Sequence, residues 1–140
     1  MSVDRNGGAP LNPEWEDLLP DEILVAQNRK PGYADELVNA PSLRVAAAQI
    51  IREGYLLHYT ESRWYEFEEP DLALLAGDRM YSAGLIVLAA ECDLEAVAAM
   101  ADVIGGCAEA RAIGEPQRAE DLWTSTLAML ARGSAGDSTA

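Results

Sequence analysis

The stretch PDLALLAGDRMYSAGLIVLAA, residues 70 to 90, decides how the chain is read. It opens with Pro70 and Asp71, residue types suited to a first helical turn. From Leu72 to Ala90 apolar residues then surround the helix axis, with Asp78 and Arg79 the charged interruptions. A helix apolar on every side is expected to be the central, buried one. No stretch of the chain shows sustained alternation with hairpin turns, so nothing supports a sheet.

The flanking segments read the same way. Upstream, Pro41-Ser42 opens a long helix on which Leu43, Ala47, Ile50, Ile51, Gly54 and Leu57 share one face, with Arg44, Arg52 and Glu53 off it. Downstream, Asp93 can cap a helix striped by Leu94, Val97, Ala101, Ile104 and Ala108. Gly105-Gly106 interrupt that helix at a cost of about 1 kcal/mol each relative to alanine, which points to close helix packing or a bend. Gly114-Glu115-Pro116 break the chain, and Ala119, Leu122, Trp123, Thr126, Leu127 and Leu130 form a last amphipathic face. Near the start, Asn12-Pro13 begins a short helix with Trp15, Leu18 and Leu19. DEILVAQNRK then carries acids first and Arg29-Lys30 last, as a helix dipole prefers. Pro31-Gly32 stops it, and a helical turn follows in ADELVNA.

The fold expected is all-α, a bundle of five to seven helices in one domain over residues 12–132. The polar ends, 1–11 and 133–140, are expected to be disordered tails. No fixed-period repeat or long heptad pattern is present.

The 140 residues suffice for one real core. The charge balance is unusual: Lys30 and nine arginines face 24 acids, a formal net charge of −14. A protein that tracks phosphates needs a basic face, so nucleic acid and anionic membrane are poor partners. Free diphosphate is disfavoured too, unless a metal or a second chain supplies positive charge. The start MSVDRNGGAPLNPEWED has no apolar run, and MYSAGLIVLAA (80–90) is too short to span a bilayer. A cytoplasmic protein without a transmembrane segment is therefore expected. Cys92 and Cys107 form no CxxC motif and read as free thiols.

Chemistry-bearing residues gather in LLHYTESRWYEFEEPD, residues 56–71, which holds the sole histidine, His58, and the sole phenylalanine, Phe67. Glu61, Glu66, Glu68, Glu69 and Asp71 offer the oxygen ligands Mg²⁺ favours, but at spacings that match neither an EF-hand loop nor an i, i+4 pair. A metal enzyme using His58, Glu61 and Glu66 is thus a weak reading. A solvated linker with its rings tucked against the core fits better.

The order of the pieces from about 40 to 120 resembles the middle of a trans-type polyprenyl diphosphate synthase. The likeness rests on Leu57-His58, on Gly77-Asp78 within LLAGDRMYSA, and on Val103-Ile104 in the alanine-rich helix that follows. It implies a truncated isoprenoid-synthase-like bundle. Where such enzymes carry their first metal-binding aspartates, this chain has His58, Tyr59, Thr60 and Glu61, and the expected arginine pair is reduced to Arg63. The resemblance implies that the segment is a relic of that motif, and no second aspartate-rich motif is seen after it. The resemblance implies a small, non-catalytic subunit, with no cofactor of its own, that binds a full-length synthase and tunes its activity or product length. Mg²⁺ would be held by the catalytic partner. The expected interface residues are Tyr81, Leu85, Leu88, Cys92, Met100 and Ile104. The alternative is a stand-alone α-helical homodimer serving as an interaction or scaffold module.

Overall fold

The computed structural model describes residue 19 and residues 26–139, with backbone only for 134–139. The expected tail 1–11 and most of the two N-terminal helices lie outside the described residues. Five helices follow: α1 (Asp35–Val38), α2 (Leu43–Tyr59), α3 (Pro70–Ala90), α4 (Leu94–Ala112) and α5 (Pro116–Thr139). The described chain is all-α, and its one non-helical pairing is an isolated bridge between Arg29 and Tyr65.

The helix ends follow from local chemistry. The Ser42 hydroxyl accepts from the Val45 N–H at 3.3 Å, capping α2. Asp93 Oδ1 accepts from the Ala96 N–H at 3.1 Å, capping α4. Between α4 and α5 the chain reverses at Gly114, whose φ of 79° suits a residue without Cβ. Two expected boundaries move. The helix expected to run to Lys30 has ended by Asn28, because Pro31 disfavours helical backbone before it and the Lys30 N–H donates to the Trp64 carbonyl at 2.8 Å. At the other end, α5 continues through the expected tail to Thr139. Extending a formed helix needs no new nucleus, so even Gly133 and Gly136 are carried along.

The central helix is α2, not α3. Two apolar clusters meet on opposite sides of it. Val45, Ala48, Ile51 and Tyr55 pack with Leu88, Met100, Val103, Cys107, Trp123 and Leu130. Ala46, Ile50 and Leu57 pack with Leu37, Trp64, Tyr65, Ala76 and Met80. The expectation for 70–90 fails because α3 spends its glycines on one face and leaves the other open. Gly54, Gly77 and Gly84 lie in the α2–α3 seam. A Cβ on Gly54 would fall 2.8 Å from the Gly77 carbonyl oxygen, and one on Gly84 would fall 2.7 Å from that of Ala47. Opposite this seam Leu75 is 62% exposed and Ile86 is 66% exposed. Among the described residues α3 is the one helix long and apolar enough to cross a membrane, judged by length and composition. Gly105 has nothing within 4 Å of where its Cβ would stand, but a Cβ on Gly106 would fall 3.0 Å from Leu122 Cδ1, so the close packing expected of this pair is found at Gly106, against α5.

Arg44 ties the start of α2 to the start of α4, donating to both Asp93 oxygens at 2.9 and 2.7 Å. These hydrogen bonds hold the Asp93 carboxyl below its usual range. A depressed folded pKa contributes stability that is present above the unfolded value, about 4, and is lost as pH falls through the folded one. The stability gap between the wild type and Asp93→Asn should therefore be about 2 kcal/mol and constant from neutral pH down to about 5, then close below about 4. Urea unfolding across that range checks it; a gap that widens in acid contradicts the assignment.

Candidate functional site

The 56–71 segment is organised by a residue that the sequence pattern placed on the outer side of α2. Glu53 is fully buried. A carboxylate without solvent requires partners, and the chain immediately after α2 supplies them. Ser62 Oγ donates to Glu53 Oε1 at 2.6 Å, and the Arg63 N–H donates to the same oxygen at 3.1 Å. The Arg63 guanidinium pairs with Glu53 Oε2 through Nε. It also reaches Gln49 Oε1 at 3.0 Å and Glu36 Oε2 at 3.2 Å.

The same turn carries the aromatic residues inward. Ser62 Oγ accepts from the N–H groups of Trp64 and Tyr65, each at 3.0 Å. Trp64 Nε1 donates to Glu36 Oε1 at 2.6 Å, and Lys30 Nζ donates to the Ser62 carbonyl at 2.7 Å. Trp64 and Tyr65 are both buried and stack edge-on against Tyr33. Burial, helped by the neighbouring Tyr33 hydroxyl, pushes the Tyr65 phenol well above its usual range. The segment tucks its rings against the core and leaves its acids in solvent, as expected, and an interior ion pair holds the turn in place.

His58 sits elsewhere. Its Nε2 lies 3.1 Å from the Leu74 carbonyl oxygen and 3.1 Å from Asp78 Oδ1, with the ring edge-on to Tyr81. It rests where a side chain on Gly77 would stand, since a Cβ there would be 2.7 Å from His58 Nε2. The Leu57-His58 and Gly77-Asp78 pairs are thus brought into contact across the α2–α3 seam. The remaining residues of the expected relic divide: Tyr59, Thr60 and Glu61 are exposed, while Arg63 is committed to Glu53. The acids Glu66, Glu68, Glu69 and Asp71 are exposed. Glu66, Glu68 and Glu69 line an open cleft of about 480 Å³ with Asn28, Arg29 and Phe67. Among the described residues no group of three or more His, Cys, Asp or Glu side chains is placed to hold a metal ion.

A second polar network joins α2, α4 and α5, and sequence periodicity gave no sign of it. Tyr55 OH donates to Glu120 Oε2 at 2.8 Å and accepts from Arg111 Nη2 at 2.8 Å. Arg52 Nη2 reaches the other Glu120 oxygen at 3.3 Å. Burial pushes the Tyr55 phenol up to about 12 despite the Arg111 hydrogen bond. The network lies beside Trp123, whose ring centroid is 5.9 Å from that of Tyr55.

The expected interface residues separate by depth. Leu88 and Met100 are fully buried and serve the core of this chain, so they have no surface to offer a partner. Tyr81, Leu85 and Ile104 are half-buried against that core, and Cys92 is exposed. The reason is the shift of the centre from α3 to α2: side chains read as facing outward line the seams between helices. Buried Cys107 donates weakly to the Ala119 carbonyl at 3.4 Å, and burial pushes its thiol up to about 11. A thiol reagent near neutral pH is expected to modify Cys92 alone in the native protein and both cysteines in denaturant. Rapid native modification of Cys107 would contradict the packing of α4 on α5.

Comparison with protein-family models, with curated proteins and with solved structures finds no match.

Proposed function

We propose that this chain is a non-catalytic helical subunit that associates with a full-length polyprenyl diphosphate synthase and modulates its activity or product chain length. The observation that carries the reading is the open face of α3, where Leu75 and Ile86 remain in solvent while the opposite face is locked to α2. Exposed apolar side chains of this size on a helix already fixed in place are what a partner helix covers. The order of helices supports the choice of partner. The contact between Leu57-His58 and Gly77-Asp78 involves the two pieces on which the likeness to the synthases chiefly rests. In this reading the turn after α2 has exchanged metal binding for packing, with Arg63 paired to Glu53 and Trp64 in the core. Mg²⁺ and the allylic diphosphate then belong to the catalytic partner.

Co-expression with a tagged full-length synthase from the same genome tests this. The two chains are expected to copurify, and Ile86→Ser, at an exposed position, is expected to break the complex without unfolding the chain. A synthase that neither copurifies nor changes its products sinks the proposal. So does Mg²⁺-dependent turnover by this chain alone.

A further inference from the structure

We draw no further inference here: the strongest candidate, the open apolar face of α3 around Leu75 and Ile86, already carries the docking role proposed above, and nothing in the structure shows what else covers it.

Discussion

Glu53→Ala is expected to cost about 3–5 kcal/mol, a large share of the roughly 5–15 kcal/mol by which a domain of this size is stable. The carboxylate is wholly out of water and is met by Ser62 Oγ, the Arg63 N–H and the Arg63 guanidinium. Removing it leaves the Ser62 hydroxyl, the Arg63 N–H and Arg63 Nε without that acceptor, and the Ser62 hydroxyl also fixes the turn that carries Trp64 and Tyr65 into the core. Glu53→Gln keeps the shape and one acceptor but loses the charge pairing, so a cost of about 2 kcal/mol is expected. Urea denaturation with tryptophan fluorescence reads both, because Trp64 reports directly on the turn. A cost below about 1 kcal/mol for Glu53→Ala would mean that the segment is held by its aromatic residues alone.

The second large effect lies in the α2–α3 seam. Gly84→Val is expected to destabilise by about 3 kcal/mol, at the upper end of typical overpacking costs. Its Cβ would meet the Ala47 carbonyl and the Ile51 side chain, and a backbone carbonyl cannot move aside as a side-chain tip can. Gly105→Ala, on the next helix with open space around it, is expected to stabilise by up to about 1 kcal/mol through helix propensity. The opposite signs of the two substitutions distinguish close packing from mere helix content. Thermal unfolding of both variants reads the difference directly.

These two sites also mark where sequence reading succeeded and stopped. The apolar stripe of α2, its Ser42 start, the Asp93 cap and the break at Gly114 were all legible, because each is a local rule expressed over a few residues. Glu53 was not, since an acid next to an apolar stripe looks solvated until the chain ten residues later turns back to meet it. The Tyr55–Arg111–Glu120 network escaped for the same reason: its members are far apart in sequence and share no period. The exchange of roles between α2 and α3 has another cause. Composition records how apolar a helix is, but not whether glycine or bulk faces its neighbour. α3 is the more uniformly apolar, yet its buried face is partly Gly77 and Gly84, and its leucine and isoleucine side chains at 75 and 86 are left outside.

The most direct measurement of the proposed role is the product-length distribution of a full-length polyprenyl diphosphate synthase assayed with an allylic primer, isopentenyl diphosphate and Mg²⁺. It is run alone, with an equimolar amount of this chain, and with the Ile86→Ser variant. The wild-type chain is expected to change the rate or the product length, and the Ile86→Ser variant is expected to change neither. Identical products in all three reactions, or an effect that survives Ile86→Ser, would contradict that role.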